Sequence, residues 1–339
     1  MFRQAVRSRP SRLPIFTKVK SGQLRYSSSS TSSPVHVPSR PARDLRGKVA
    51  IVTGAGSQGL EIGNGRASSI LLAEDGASVV CVDKNLAFAS QTVEMIKANL
   101  LERSESQPDD LTPSTRMPIK GEEEEAVSAI AISGDVTNPQ DCEAIVDAAI
   151  SIFGRLDILI NVVGILGAKG TAVDVDLAEW TRGLDINVTS MVLMARYAIP
   201  AMLNEREGES SKKIKGSIVN IGSVAGLRGG TPHLLYPTSK GAVVNMTRAM
   251  AAQHGGQGIR VNCVCPGMLY TPMMYGPGGG MTDEMRQARR KRSLLETEGN
   301  AWDTASAIRF LAGDESRWIT GAVLTVDAGA SAAVSFSMT

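Results

Sequence analysis

Short apolar runs alternate with longer amphipathic stretches along most of this chain. The apolar runs have the length typical of buried strands, about 4–8 residues. Seven strands are predicted, at Lys48–Val52, Ala77–Val82, Ala126–Ser133, Asp157–Val162, Ser217–Ile221, Ile259–Val264 and Val323–Val326. Helices are predicted between them, over Arg66–Asp75, Leu86–Leu100, Asn138–Phe153, Leu177–Leu203, Tyr236–His254 and Ala301–Ala312.

The regular alternation of strands and helices determines the predicted fold class. Connecting helices that cover both faces of a sheet leave its strands parallel and buried. We therefore predict a single α/β domain over residues 44–339, with a doubly wound, Rossmann-type, mainly parallel sheet of seven strands. Two segments break the rhythm. Residues 102–125 are predicted to be a solvated polar insertion, and residues 271–293, rich in glycine and methionine, a substrate lid.

Composition agrees with a globular protein that has a sizeable core. The 339 residues are 42% hydrophobic and 21% charged. No apolar run approaches the ~18 residues of a membrane span. The four cysteines show no paired metal-ligand spacing, so no metal site is predicted. They are interpreted as reduced thiols of an intracellular protein.

Residues 1–43 differ in composition from everything that follows. They contain nine basic residues, no acidic residue and the serine run Ser27–Ser30, a pattern typical of an organellar transit peptide. A mitochondrial matrix location is predicted, with cleavage near Tyr26. The alternative is a disordered basic tail on a cytoplasmic protein. Cleavage at that point leaves 29 basic and 34 acidic residues, which argues against nucleic-acid binding.

A glycine-rich loop follows the first strand and precedes the first helix. Gly54, Ser57, Gly63 and Gly65 lie in this loop. Glycines let a backbone approach a pyrophosphate closely, and the N-terminus of the next helix offers oriented N–H groups. The order of strand, glycine loop and helix therefore predicts a dinucleotide-binding site.

The second predicted strand ends at an acidic residue, Asp83. It lies 18 residues after Gly65, close to the ~20 expected for the acid that accepts a hydrogen bond from the adenosine ribose. Such an acid repels a 2′-phosphate, so NAD is favoured over NADP, although the neighbouring Lys84 weakens the argument. The alternative is that Asp83 only caps the following helix.

Three residues around the fifth strand predict acid–base chemistry. Ser223 follows the strand, Tyr236 comes thirteen residues later, and Lys240 lies one helical turn beyond it on the same face. A phenol has a pKa near 10, and a neighbouring ammonium favours its ionised form. A serine hydroxyl can bind a carbonyl or alcohol oxygen. Together these groups suit proton transfer beside a C–O bond.

At these residues the chain resembles the classical short-chain dehydrogenase/reductase family, which carries a serine followed by Tyr-x-x-x-Lys. The resemblance extends over residues 46–331 and includes Thr53 and Gly54, with Gly63 and Gly65, of the family's glycine pattern. About five extra residues, Gln58–Ile62, interrupt that pattern and are expected to bulge outward.

The resemblance also implies roles for residues that no local pattern singles out. Asn187 is implied to lie at a helix distortion that supports a proton relay; the alternative is an ordinary buried asparagine. The other implied residues are cofactor contacts: Asp135 and Val136 beside adenine, Asn161 and Gly164 beside the ribose, Pro266 and Gly267 in a shaping turn, and Thr271 at the carboxamide.

The predicted function is NAD(P)-dependent hydride transfer between the cofactor and a small secondary alcohol or ketone. Ser223, Tyr236, Lys240 and Asn187 are the predicted catalytic residues. Tyr236 and Lys240 are also predicted cofactor contacts, with Lys240 holding the ribose. One alternative is a mitochondrial 3-oxoacyl-[acyl-carrier-protein] reductase. The other is a non-catalytic scaffold subunit, which the presence of all three acid–base residues disfavours. The resemblance further implies a homodimer or homotetramer.

Overall fold

The structure, a computed structural model, describes residues 40–106, 128–204, 214–275 and 280–333. The chain divides after Arg40, and every element named below belongs to the compact unit Pro41–Thr339. Residues 1–39 of the predicted transit peptide lie outside the described residues. So do residues 107–127, which include most of the predicted polar insertion, and residues 276–279 of the predicted lid.

Seven parallel strands form one sheet in the order β3-β2-β1-β4-β5-β6-β7. Their bounds are β1 Val49–Thr53, β2 Ser78–Asp83, β3 Ala129–Ser133, β4 Ile158–Asn161, β5 Gly216–Ile221, β6 Ile259–Pro266 and β7 Val323–Val326. The chain reverses direction across the sheet between β1 and β4, which pair through Ala50–Ile158 and Thr53–Asn161. In a doubly wound sheet this switch point opens a crevice at the carboxyl ends of the strands.

Helices cover both faces of the sheet. Their bounds are α1 Asn64–Glu74, α2 Leu86–Ser106, α3 Pro139–Phe153, α4 Leu177–Leu184, α5 Ser190–Leu203, α6 Leu235–His254, α7 Pro272–Tyr275, α8 Asp283–Arg290 and α9 Ala301–Ala312. Residues of β1 alternate between the two faces. Ala50 and Val52 pack in the cluster that contains residues of α1, α2 and α9. Val49 and Ile51 pack in the cluster that contains residues of α3 and α5.

The structure confirms the predicted fold class and moves several element ends, two of them as follows. Helix α2 continues to Ser106, six residues beyond the predicted end at Leu100. The start of the predicted insertion is therefore helical, because Glu102 and Arg103 are good helix formers and the first helix breaker is Pro108. Strand β6 continues to Pro266, two residues beyond its predicted end.

The long predicted helix Leu177–Leu203 is interrupted. A π-helical turn, Asp185–Thr189, joins α4 to α5. By length and composition alone, Leu177–Leu203 is apolar enough to cross a membrane. In the structure, one side of α5 is buried, with Met194, Ala198 and Met202 in the same cluster as strand residues. This helix therefore packs as a core helix of the domain.

Candidate active site

The residues predicted to form the site converge on one cavity at the carboxyl ends of the strands. The cavity has a volume of about 1660 Å³, more than the ~300–1,000 Å³ of a pocket for one drug-sized ligand. The predicted residues that line it are Gly54, Ser57, Gly63, Gly65, Asp83, Asp135, Val136, Gly164, Ser223, Tyr236, Lys240, Pro266, Gly267 and Thr271. Its size accommodates a dinucleotide together with a second molecule.

Two predicted site residues, Asn161 and Asn187, lie behind the cavity wall. Asn161 is buried, and its side-chain amide donates to Asn220 Oδ1 at 2.9 Å. Asn220 in turn donates to Thr247 Oγ1 at 3.1 Å. The side chain of Asn161 therefore ties β4 to β5 and α6, where sequence had suggested a cofactor contact.

The π-helical turn holds Asn187 against two other parts of the site. Asn187 Oδ1 accepts from the backbone N–H of Ile165 at 2.8 Å, and Nδ2 donates to the Ile165 carbonyl at 2.9 Å. Nδ2 also donates to Ser239 Oγ at 2.9 Å. A π-turn disturbs the regular helical hydrogen-bond ladder, as often occurs at functional sites. The helix distortion implied by the resemblance is thus confirmed, and the Asn187 side chain is fully hydrogen-bonded.

Ser223, Tyr236 and Lys240 meet beside the end of β5. Ser223 caps a short 3₁₀ turn, where its hydroxyl accepts from the Ala225 N–H at 3.1 Å. The Ser223 hydroxyl lies on the same cavity wall as the Tyr236 phenol and acts to lower its pKa. Lys240 Nζ lies 5.9 Å from the centroid of the Tyr236 ring and donates to the Ile221 carbonyl at 2.8 Å. The three predicted acid–base residues are therefore brought together.

Burial controls the ionisation of these groups. It lowers the pKa of Lys240 from 10.5 to about 8, because desolvation disfavours the ammonium form. Burial also raises the pKa of Tyr236, and the Ser223 hydroxyl opposes that rise. The net shift of the tyrosine pKa is upward, whereas the sequence interpretation expected the lysine to lower it. Burial outweighs the opposing effect of Ser223 in the shift.

The glycine loop forms a cradle that side chains would fill. A Cβ on Gly65 would lie 1.9 Å from the carbonyl oxygen of Gly54, and Gly54 itself has a φ of +67°. The N–H of Gly63 donates to Ser57 Oγ at 3.2 Å. These positions require glycine because backbone approaches backbone, which also suits a pyrophosphate.

Arg66 organises the five-residue insert, and sequence reasoning missed it. Its guanidinium is fully buried and donates to the carbonyls of Ser57 at 2.8 Å, Gly59 at 2.6 Å and Glu61 at 2.7 Å. Its Nε donates to Thr92 Oγ1 at 2.9 Å. The available signal was a charged residue on the otherwise apolar or small inner side of α1.

The insert itself turns outward, as expected. Gln58, Gly59 and Leu60 are exposed, and Leu60 has 74% of its surface accessible. Ile62 returns to the protein and packs against the cluster formed by Ala67, Ala301 and Ala305. The insert is therefore anchored at both ends, by Arg66 beneath it and by α9 behind it.

Asp83 lies between the glycine loop and the end of β2. Its Oδ2 accepts from the Gly56 N–H at 3.1 Å, and its Oδ1 accepts from the Asn85 N–H at 2.9 Å. The cap of α2 is Asn85, whose Oδ1 accepts from the Ala87 N–H at 3.0 Å. Asp83 is thus not that helix's cap. A carboxylate has about four acceptor positions, so two remain for a ligand.

Lys84, the residue after Asp83, forms an ion pair at this end of the cavity. Its Nζ lies 2.6 Å from Asp135 Oδ2. This ammonium, together with the Thr137 hydroxyl, lowers the pKa of Asp135 to about 2. The charge of Lys84 is therefore balanced by Asp135, and no basic side chain of the described residues forms an ion pair with Asp83.

The lid segment covers the other end of the cavity. Thr271 is 8% exposed and precedes α7, and Met273 and Met274 line the cavity with it. His233 also lines the cavity, and its Nδ1 accepts from the Gly170 N–H at 3.1 Å. This end is richer in methionine and leucine than the glycine loop, so it suits the apolar part of an organic substrate.

The fold and the cavity define a class of protein. A glycine cradle, an acid at the end of β2 and an acid–base tyrosine fit a nicotinamide dinucleotide and a substrate with a C–O bond. Within residues 40–106, 128–204, 214–275 and 280–333, no group of three or more His, Cys, Asp or Glu side chains could hold a metal ion. The arrangement is that of a dinucleotide-dependent oxidoreductase.

Comparisons with known proteins give the same class. The family profile described as enoyl-(acyl carrier protein) reductase matches residues 109–331. The meso-2,3-butanediol dehydrogenase of Serratia marcescens is 32% identical over 285 residues, 84% of this chain and 95% of that enzyme. The 3-oxoacyl-[acyl-carrier-protein] reductase FabG of Thermotoga maritima is 28% identical, over 84% of this chain and 98% of the enzyme.

A solved structure extends the similarity to three dimensions. A short-chain dehydrogenase/reductase from Burkholderia xenovorans superposes with a TM-score of 0.70 at 34% identity, and the match covers 86% of this chain and 99% of that one. The chain belongs to the short-chain dehydrogenase/reductase family. It is an NAD(P)-dependent oxidoreductase that acts on CH–OH or C=O groups.

Proposed function

We propose that this enzyme interconverts a small secondary alcohol and its ketone, with NAD(H) as the preferred cofactor and Tyr236 as the proton donor and acceptor. The observation that carries the proposal is the convergence of Ser223, Tyr236 and Lys240 on one cavity, with Lys240 Nζ 5.9 Å from the tyrosine ring. These groups face the cavity beside Gly164 and Thr271. When bound, the nicotinamide supplies or accepts the hydride.

The protein's own groups handle the substrate oxygen and its proton. In the reduction direction, the Ser223 hydroxyl donates a hydrogen bond to the ketone oxygen and orients it. Tyr236 then gives its phenolic proton to that oxygen as the alcohol forms. The Lys240 ammonium stabilises the phenolate left behind. In the oxidation direction the same phenolate accepts the alcohol proton.

The residues around the cradle assign the cofactor contacts. Gly54, Gly63 and Gly65 leave room for the pyrophosphate, and the N-terminus of α1 offers N–H groups to it. Asp83 has free acceptor positions for the ribose hydroxyls and repels a 2′-phosphate. Val136 and Asp135 line the adenosine end, and Pro266, Gly267 and Thr271 line the nicotinamide end. Together these contacts favour NAD(H).

Location and assembly are part of the proposal. The acid-free, arginine- and serine-rich segment 1–43 supports import into the mitochondrial matrix. Membership of the family supports a homodimer or homotetramer. Fractionation of cells that express the tagged full chain tests the location, and light scattering on the purified protein tests the assembly. A cytoplasmic signal or a monomer would contradict the respective part.

The function is tested by a substrate panel. Neutral secondary alcohols with NAD⁺ or NADP⁺, and the matching ketones with NADH or NADPH, are incubated with the tail-removed and full-length proteins. A 3-oxoacyl thioester and an enoyl thioester complete the panel. The proposal expects turnover of alcohols and ketones with NAD(H). Turnover confined to the 3-oxoacyl thioester with NADPH would favour the acyl-carrier-protein reductase, and turnover confined to the enoyl thioester would contradict carbonyl chemistry.

A further inference from the structure

The basic cluster of the lid, Arg289–Arg292, divides into two faces. Arg289 and Arg292 line the cavity. Arg290, Lys291 and Arg292 are all exposed, but Arg290 and Lys291 stand outside the set of residues that forms the cavity wall. Positions three residues apart share one face of a helical turn, so this division follows from the spacing. Half of the cluster's charge therefore faces the site.

Arg289 has a structural partner. Its Nε lies 3.3 Å from Glu298 Oε1, and its Nη2 donates to the Leu269 carbonyl at 2.8 Å. Arg286 reaches the other oxygen of the same carboxylate, at 2.9 Å. Glu298 is almost fully buried at 3% exposure, so its charge is committed to these two arginines. Arg289 thus anchors α8 and offers little charge to a ligand.

Hydrogen bonds fix the backbone of the turn that carries Arg292. The Arg292 N–H donates to the Arg289 carbonyl at 3.0 Å. The next residue, Ser293, is buried, and its hydroxyl lies 3.0 Å from the Arg290 carbonyl and 3.1 Å from the Thr297 carbonyl. Within the described part of the chain, no acidic side chain pairs with the Arg292 guanidinium. The Arg292 guanidinium therefore belongs to the cavity wall and has no acidic partner among the described residues.

The sheet order places Arg292 away from the adenosine end. Arg289 contacts Leu269, three residues past the end of β6. Asp83 ends β2 and Asp135 follows β3, and β1, β4 and β5 separate these two strands from β6. Ser223 follows β5, the neighbour of β6. Arg292 thus belongs to the end where Ser223 binds the substrate oxygen.

Charges around the substrate end are predominantly positive. The charged lining residues at the adenosine end are Asp83, Lys84 and Asp135. The other charged lining residues are one carboxylate, Asp185, and four basic side chains, Arg182, Lys240, Arg289 and Arg292. Arg182 pairs with the exposed Glu179 at 3.4 Å. With Arg289 held by Glu298, the remaining charges at this end are those of Lys240 and Arg292 against Asp185. An excess of positive charge in a cavity concentrates anionic ligands.

We propose that Arg292 binds an oxyanion of the substrate, so that the preferred substrates are hydroxy acids and keto acids, or similar anions, with the negative group remote from the reacting carbon. This inference rests on the proposed alcohol–ketone function and narrows its substrate class. A guanidinium matches a carboxylate with two parallel N–H donors. Neutral ketones of the same shape lack that partner.

The test uses matched pairs of ketones that differ in charge and by one ester methyl group. Acetoacetate, 4-oxopentanoate and 5-oxohexanoate are each compared with their methyl esters, with NADH, for wild type, Arg292→Gln, Arg292→Lys and Arg290→Gln. We expect wild type to prefer at least one acid over its ester. Arg292→Gln should raise the KM of that acid by about 10- to 100-fold, as for a hydrogen bond between charged groups, and leave the ester unchanged. Arg292→Lys should restore part of the loss.

Arg290→Gln removes the same charge from the outward face and should leave every value near wild type. An equal loss for acid and ester, or the same loss in Arg290→Gln, would overturn the proposal. So would a weaker NADH Kd in Arg292→Gln, since that places the guanidinium on the cofactor. If wild type reduces no ketone, the proposed function fails. In that case, each acid and its ester are added to the enzyme–NADH complex and the fluorescence is measured, which tests Arg292 separately. If no acid changes the fluorescence more than its ester does, the proposed role of Arg292 is overturned.

Discussion

Gly164 lies directly against the ammonium of Lys240. A Cβ at position 164 would come 3.1 Å from Lys240 Nζ and 3.4 Å from Asn187 Oδ1. Both partners are buried, so neither can move into solvent. The turn after β4 therefore fixes the position of the lysine that serves Tyr236.

Gly164→Ala should displace the Lys240 ammonium by a few tenths of an ångström or more. Because misplacement by about 1 Å at a reacting group can cost ~100-fold in rate, we expect a fall of kcat of about 10- to 100-fold. Steady-state kinetics measure it, and circular dichroism verifies folding. Gly229→Ala is the matched control, since a Cβ there meets no atom within 4 Å. Equal kinetics for the two variants would refute the proposed contact.

Arg66→Met should loosen the glycine loop, because the carbonyls of Ser57, Gly59 and Glu61 lose their buried donor. An unsatisfied buried polar group costs about 1–3 kcal/mol, and about 1 kcal/mol corresponds to ~2–4 °C in Tm for a domain of this size. We expect a Tm lower by several degrees and an NADH Kd raised about tenfold. Thermal melts and fluorescence titration measure both.

The exposed Arg248 provides the control for Arg66. Arg248→Met removes the same charge from the surface of α6 and should leave Tm and NADH affinity unchanged. If Arg66→Met resembled Arg248→Met, the insert would hold its shape without the buried guanidinium.

Lys240→Met should make stability less dependent on pH. The pKa of Lys240 is about 8 in the folded protein and 10.5 in the unfolded chain, so between these values the unfolded chain binds more protons and wild-type stability rises with pH. Burial of the charged lysine lowers the free energy of unfolding of the wild type by roughly 3 kcal/mol. This cost is fully present below pH 8 and disappears above about pH 10.5. Between pH 7 and pH 10, urea unfolding should show a smaller increase in the free energy of unfolding for Lys240→Met than for wild type. Parallel changes in both proteins would contradict the lowered pKa.

Asp83→Ser should admit NADPH. Two unit charges ~4 Å apart repel by about 1–4 kcal/mol between bulk water and a partly shielded surface, so we expect kcat/KM for NADPH to rise by ~10-fold or more, while kcat/KM for NADH falls. Asp147→Ser, at an exposed position on α3, is the control and should keep the wild-type preference. An unchanged NADH-to-NADPH ratio in Asp83→Ser would assign cofactor choice to another residue.

Local signals were sufficient for much of the fold. Helix α9 and strand β7 occupy the predicted residues. Asn300 caps α9 through a capping box with Asp303, and Gly313 follows its last residue, so both helix ends are encoded within a few positions. The end of α2 was misplaced because a polar composition was taken as a loop, although polar residues also form exposed helix.

The site was predictable where its residues follow strands in a known order. Ser223, Tyr236 and Lys240 meet as predicted, because the strand and the helical spacing fix their directions. The role of Arg66 was not predicted, because the side chain donates to loop carbonyls. The sequence does not show where those carbonyls lie in the folded loop. No sequence pattern predicts the role of Glu298 either, because that role depends on ion pairs with Arg286 and Arg289 that form only in the folded protein.

The account's central claim is that Tyr236 transfers the proton. Its most direct test is a rapid-mixing measurement of NADH oxidation by Tyr236→Phe with the best ketone of the panel, beside Tyr197→Phe as control and a fluorescence titration of NADH. We predict a hydride-transfer rate lower by about 100- to 10,000-fold, the usual contribution of an acid–base group, with NADH affinity unchanged and Tyr197→Phe near wild type. A Tyr236→Phe enzyme that kept most of the wild-type rate would contradict the claim.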